Sequence, residues 1–269
     1  MYKKYERLTE IIASYDSLVV AFSGGVDSSF LLKAAHDVLG EKAIGITAST
    51  PYIASWEIAD AICIADEIGA HHEVISNPWI KEIRKNPLNR CYLCKHSLFS
   101  LLRDVAHQKG FSTVAEGSNV DDTFEYRPGR VALGELGIKT PLLDAGLTKS
   151  EIRALSKDMG LSTWDKPSYA CLLTRFPYGK TIDKKALSMV GTAEGYMIEQ
   201  GYGNIRVRYE DGLARLELPK SHAAHLLNDQ RLSEICAYLK SLGFLHVTLD
   251  LEGFRHNSVA ESLSLAKEA

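Results

Sequence analysis

The sequence predicts an α/β protein, with a parallel sheet covered by helices on both faces and a smaller C-terminal α+β domain. Three observations predict it. Short continuous apolar runs alternate with helix-period segments through the first half of the chain. A glycine turn, Ser23-Gly24-Gly25, joins the first apolar run to the first long periodic segment. After Pro167 the pattern changes to two alternating apolar–polar runs joined at Asp211-Gly212.

Each element follows from its residues. Leu18 to Phe22 is a buried strand, and Val26 to Leu39 the helix behind the glycine turn. Ala43 to Ala48 is a second strand, ended by Pro51. Glu57 to Ile68 has helical period and stops at Gly69, and Ala70 to Ile75 is a third strand. A helix over Leu98 to Gly110 leads into a fourth strand, Thr113 to Gly117. Thr148 and Glu151 have the spacing of a capping box for a helix that ends at Gly160. Residues 168–180 read as a loop. Then come a helix over Leu187 to Gln200, a hairpin of Ile205 to Tyr209 with Ala214 to Leu218, a helix over Leu232 to Leu242 and a strand over His246 to Leu251. The expected domains are 1–180 and 181–269.

Composition narrows the function classes. The 269 residues are 45% hydrophobic and 24% charged, which excludes collagen, coiled coil and bulk disorder. No apolar run reaches the roughly 18–20 residues of a membrane span, and the start, Met1-Tyr-Lys-Lys, continues into an amphipathic stretch without a signal-peptide core. A cytoplasmic protein without membrane contact is expected. With 31 basic against 34 acidic residues the net charge is −3, so nothing electrostatic points to nucleic acid. An odd number of cysteines, five, argues against a disulfide framework. Cys63 and Cys236 lie in apolar helical segments and are expected to be small buried hydrophobes. His71 and His72 read as strand residues.

The turn Ser23-Gly24-Gly25-Val26-Asp27-Ser28 has the chemistry of an anion site. Glycines let backbone N–H groups approach an oxyanion, and a helix N-terminus adds roughly half a positive charge. Ser23 and Ser28 can donate to the same anion. Asp27 would repel a bare phosphate, so a divalent cation is expected beside it. The loop is neither a Walker A motif nor GxGxxG. Cys91 and Cys94 form a CxxC, suited to zinc, an iron–sulfur cluster or thiol chemistry, between Arg90 and Lys95, which favour thiolate. Cys171, in a proline-bounded loop with Thr174 and Arg175, is a candidate nucleophile. Arg206 and Arg208 lie two apart in a strand and face the same way.

Ser23 to Ser28 resembles the PP-loop of the ATP pyrophosphatases, which implies an adenine nucleotide alpha hydrolase-like fold. The strings SGGVDSS, RCYLCK, EGSNVDD, YRPGRVALGELGIKTPLLDAGLTKSEIR, DKPSYACLLTRFPYG, IRVRY and VTLDLEGFR, spread over nearly the whole chain, are similar to one branch. That branch is the LarE family of sulfurtransferases, which builds the nickel-pincer nucleotide of lactate racemase. The tail Gly253-Phe254-Arg255-His256-Asn257 departs from the family's usual GYRSGSMN.

The resemblance implies an ATP-dependent enzyme that forms AMP and pyrophosphate. It would adenylate the carboxylates of pyridinium-3,5-biscarboxylic acid mononucleotide and convert them to thiocarboxylates. Ser23, Gly24, Gly25, Asp27 and Ser28 would grip the ATP phosphates, backbone near Thr47 would hold adenine, and Gly117 would contact ATP. Cys171 would be the nucleophile, Arg175 would bind the adenylate or substrate carboxylate, and Arg206 with Arg208 the substrate phosphate. Mg2+ is expected on Asp27 and Glu194. Cys91, Cys94 and Cys171 would hold a [4Fe-4S] cluster whose open iron carries the transferred sulfide. In the alternative, Cys171 gives up its own sulfur. The family implies a small-molecule nucleotide substrate and a homo-oligomer, a hexamer, and leaves the sulfide donor unnamed. Rival readings are a PP-loop tRNA thiolase, a nucleotide-binding regulator with zinc on the CxxC, and an ammonia-using relative.

Overall fold

The computed structural model describes residues 1–124 and 129–254. Contacts divide the chain into two compact units. The first comprises Met1–Thr50 and Trp56–Ser168, and the second Pro51–Ser55 and the chain from Tyr169. The second unit thus begins at Tyr169, where the sequence places its domain at 181. The reason lies in the Cys171 loop, whose Leu172 N–H donates to the Tyr52 carbonyl at 2.9 Å.

In the first unit the elements run α1 (Tyr2–Ala13), β1 (Leu18–Ala21), α2 (Val26–Leu39), β2 (Ala43–Ser49), α3 (Ser55–Ile68), β3 (His71–Ser76), α4 (Arg90–Gln108), β4 (Thr113–Ala115), α5 (Gly129–Glu135), α6 (Pro141–Asp144) and α7 (Lys149–Asp158). The four strands form a parallel sheet in the order β3-β2-β1-β4, in register at Leu18↔Ala43 and Leu18↔Thr113. β1 is buried on both sides, which explains its unbroken apolar run. Leu18 and Val20 pack with Leu8, Phe30, Ala61 and Ile152 on one face. Val19 packs with Phe99, Leu102, Val114 and Leu133 on the other. Replacing Leu18 by Ala would cost about 2–5 kcal/mol.

The strand order puts β2 and β4 on opposite sides of β1. The connections leaving β1 and β4 therefore diverge, and the crevice beyond their carboxyl ends is where open parallel sheets bind ligands.

The second unit has a 3-10 turn at Leu172–Arg175, then α8 (Lys184–Glu199), β5 (Arg206–Glu210), β6 (Leu213–Glu217), α9 (Lys220–Asn228), α10 (Leu232–Ser241) and β7 (His246–Leu249). Its sheet runs β5-β6-β7, antiparallel then parallel. The hairpin turns at Asp211 (φ 47°) and Gly212 (φ 95°), both left-handed, as a two-residue primed turn requires.

Two cysteine expectations change. Cys63 is exposed and Cys236 half-buried. α3 buries Ala61, Ile64, Ala65 and Ile68, which leaves the apolar-looking Ile62 and Cys63 on its outer side. Among the described residues no helix is long and apolar enough to cross a membrane.

Candidate active site

The loop between β1 and α2 closes on its own hydroxyls. Ser23 N–H donates to Ser28 Oγ at 3.2 Å, the two serine hydroxyls lie 3.1 Å apart, and Ser28 Oγ donates to the Gly25 carbonyl at 3.2 Å. Gly24 adopts φ +65°, and a Cβ there would sit 2.9 Å from Ala61 Cα, so only glycine fits against α3. Gly25 is the N-cap of α2 and lacks a side-chain cap. The first turn of α2 thus carries its partial positive charge without a side-chain cap. Lys166 holds the loop from beside it, donating to the Gly24 carbonyl at 2.6 Å and pairing with Asp60.

Asp27 stands in that first helical turn. Lys149, the first residue of α7, places Nζ 2.5 Å from Asp27 Oδ2, and Asn119 Nδ2 donates to Oδ1 at 3.3 Å. Burial is the largest influence on the Asp27 carboxyl and pushes its pKa up; Lys149 and Asn119 pull it down and Asp122 pushes it up, for a net rise. Gly117, after β4, packs on this turn: a Cβ there would meet Asp27 Cβ at 3.0 Å and Ser28 N at 3.1 Å.

At the end of β2, Thr47 is buried. Its hydroxyl donates to the Phe22 carbonyl at 2.8 Å and lies 2.8 Å from His72 Nε2. Its side chain is therefore committed to the sheet. Phe22 N–H bonds the Ile46 carbonyl and Asn77 N–H the Ser49 carbonyl. Successive residues of a parallel strand bond to alternate sides. Ala48 therefore turns its N–H and C=O toward the β1 side, past the last pair Ala21↔Ile46. That edge can pair with a flat heteroaromatic base.

Cys91 and Cys94 lie in the opening turn of α4, which starts at Arg90, well before the expected Leu98. Three apart on a helix, they share one face. Cys91 is exposed and Cys94 half-buried. Arg90 turns inward to Asn86 Oδ1 at 2.6 Å, and Lys95 reaches Glu116 at 3.6 Å.

In the second unit Cys171 is half-buried at the N-cap of the Leu172–Arg175 turn, and its carbonyl accepts from Thr174 N at 3.0 Å and Thr174 Oγ1 at 2.9 Å. Arg175 is 2% exposed. It forks onto Glu194 at 2.7 and 2.9 Å, and its remaining nitrogen donates to the Ala170 carbonyl at 3.1 Å and Thr174 Oγ1 at 2.6 Å. Glu194 Oε1 also accepts Val207 N–H at 2.8 Å.

Arg175 thus ties together the chain on either side of Cys171, and the Glu194 oxygens are shared between Arg175 and β5. Arg206 and Arg208 do share a face of β5, paired across the hairpin with Glu217 and Arg215. Arg208 forks onto Glu217 at 2.9 and 3.0 Å and donates to the Thr174 carbonyl. Arg206 stacks on Phe254 at 4.4 Å, and burial, reinforced by Arg175 and Arg208, lowers its pKa to about 10.

Among the described residues no group of three or more His, Cys, Asp or Glu side chains is placed to hold a metal ion. Cys91 and Cys94 belong to the first unit and Cys171 to the second. The Tyr126-Arg127-Pro128 part of the longest string and the tail from Arg255 lie outside the described residues. Lys149, Asn119 and Lys166 were missed as site residues. Their strings GLTKSEIR, EGSNVDD and DKPSYAC were visible, but no local pattern assigns a lysine to a loop more than a hundred residues away.

No protein-family model matches the chain. An uncharacterized protein of Synechocystis is 41% identical over 266 residues, 97% of this chain and 98% of its own. An uncharacterized protein of Methanocaldococcus jannaschii is 32% identical over 88% of this chain and 90% of its own. The pyridinium-3,5-bisthiocarboxylic acid mononucleotide synthase of Lactiplantibacillus plantarum is 34% identical over 271 residues, 99% of this chain and 97% of its own. With 34% identity to that synthase over nearly the whole of both chains, the chain belongs to the LarE family.

Proposed function

We propose that this chain is an ATP-dependent sulfurtransferase. It adenylates the carboxylates of pyridinium-3,5-biscarboxylic acid mononucleotide and converts them to thiocarboxylates. One observation carries the reading: 34% identity to the Lactiplantibacillus plantarum synthase over 99% of this chain. The glycine loop at the uncapped α2 N-terminus supports it, since pyrophosphate is the leaving group such a nest stabilises.

In the proposed sequence a substrate carboxylate oxygen attacks the α-phosphorus of ATP, and the bond to the β-phosphate oxygen breaks. Pyrophosphate leaves against the first-turn amides of α2 and the Ser23 and Ser28 hydroxyls. The Ala48 backbone pairs with the adenine edge. The Cys171 thiolate then adds to the acyl carbon, AMP departs and a thioester remains. Arg206 meets the substrate phosphate. Arg175 and Glu194 are positioning residues, since they fix the loop that carries the thiol.

The sulfur can then follow two routes. Cys91, Cys94 and Cys171 are the residue complement of the cluster route, in which a [4Fe-4S] cluster would supply sulfide on an open iron. Cys91 and Cys94 stand in the first unit and Cys171 in the second. The second route needs Cys171 alone. The Cα proton of residue 171 is lost, the Cβ–Sγ bond breaks, the thiocarboxylate leaves with the sulfur, and position 171 becomes dehydroalanine. Mg2+ enters with the nucleotide.

The test incubates the protein with ATP and the dicarboxylate nucleotide and follows pyrophosphate, AMP and product mass. Cys171→Ala is expected to release pyrophosphate and form no thiocarboxylate. No pyrophosphate from the unmodified protein would overturn the reading, and a thiocarboxylate from Cys171→Ala would remove Cys171 from its role.

A further inference from the structure

Asp27 poses a charge problem for the proposed reaction. It sits in the first turn of α2, the turn whose amides would hold the pyrophosphate of ATP. A carboxylate there repels phosphate oxygens unless a cation stands between them. The sequence points to a divalent metal for that place. The structure also sets a cation of this chain beside Asp27: Lys149 Nζ, 2.5 Å from Asp27 Oδ2.

The surroundings suit a charge that acts on an incoming anion. The Lys149 backbone is fixed, because it opens α7 behind the Thr148 cap and its N–H donates to Asp121 Oδ2 at 2.5 Å. Its side chain is a flexible four-carbon stem ending in three donors. Among the described residues Asp27 is its one ion-pair partner, so two donors remain for a ligand. The Lys149 side chain is 28% exposed and that of Asp27 24%, so the pair is not sealed from solvent. Lys166 and Lys95 are occupied otherwise, the first by the Gly24 carbonyl and Asp60, the second by Glu116.

We propose that Lys149 is a catalytic residue of the adenylation step: tethered by Asp27, it binds the β- and γ-phosphates of ATP and stabilises the pyrophosphate as it leaves. Asp27 is then the positioning residue that aims Lys149. The proposal rests on the ATP-dependent reading above, but its test needs no acceptor substrate. A charged hydrogen bond of this kind corresponds to a roughly 10- to 100-fold loss of affinity on removal.

The experiment measures ATP and AMP binding by calorimetry on the full chain. Lys149→Met is expected to weaken ATP about 10- to 100-fold and to leave AMP, which lacks the two outer phosphates, unchanged. Lys149→Arg retains part of the ATP affinity. Asp27→Asn combined with Lys149→Met binds ATP more tightly than Lys149→Met alone, because the bare carboxylate is gone. Unchanged ATP affinity in Lys149→Met overturns the proposal. So does an equal loss of ATP and AMP, which marks a merely structural lysine. Should Lys149→Met not fold, the double variant is compared with Asp27→Asn alone, and equal ATP affinities overturn it. Failure of the sulfurtransferase reading is separate: the unmodified protein would bind ATP yet release no pyrophosphate with the dicarboxylate.

Discussion

At position 175 a buried guanidinium has all three nitrogens engaged, two on Glu194 and one on the chain around Cys171. Removing one partner of such a pair strands the other charge in the interior, at a cost of about 3–5 kcal/mol. Arg175→Met is therefore expected to lower stability by that order in urea unfolding, and to slow thioester formation more than pyrophosphate release. A variant as stable as the parent would show that the pair contributes little. Arg175→Lys recovers only part, because an ammonium cannot reproduce the planar fork. The partner lies 19 residues away. Sequence spacing therefore does not reveal this pairing.

At the scale of elements, α7 shows a signal that local residues do carry. Thr148 Oγ1 accepts from Glu151 N–H at 3.3 Å and Glu151 Oε2 accepts from Thr148 N–H at 2.9 Å, the reciprocal box legible in Thr-Lys-Ser-Glu. Thr148→Ala is expected to cost about 1 kcal/mol in thermal or chemical unfolding. Lys4, 2.7 Å away, joins the cap in holding the Glu151 carboxyl at about 2, below its ordinary 4.5. With the folded value depressed, this contribution is complete above about pH 4.5 and is lost as pH falls toward 2. Glu151→Gln should flatten that acid limb of the stability profile, and an unchanged limb would exclude the cap as its source. α4 shows the opposite case. Its early start at Arg90 rests on tertiary partners, Tyr92 on Glu135 at 2.8 Å and Lys95 against Gly129. The local string, with aromatic and thiol residues of middling helix propensity, does not announce it.

For the molecule as a whole, iron content separates the two fates of sulfur. In anaerobically purified protein the sacrificial route gives no stoichiometric iron, and residue 171 loses the elements of one hydrogen sulfide per sulfur delivered, read by intact mass. A brown protein with about four irons per chain and an unchanged mass after turnover would establish the cluster route instead.

The α/β class, the parallel strands, the Asp211-Gly212 hairpin, the α7 cap and the glycine loop were all legible in the residue order. Each is set by neighbours along the chain: apolar period, turn chemistry and helix caps. The partners of the charges were not legible there and came from the folded chain alone: Lys149 on Asp27, Lys166 on Gly24, Arg175 on Glu194 and Arg208 on Glu217. A buried charge needs a counter-charge, but the fold chooses which one, because ion pairing depends on distance in space and not on separation along the chain.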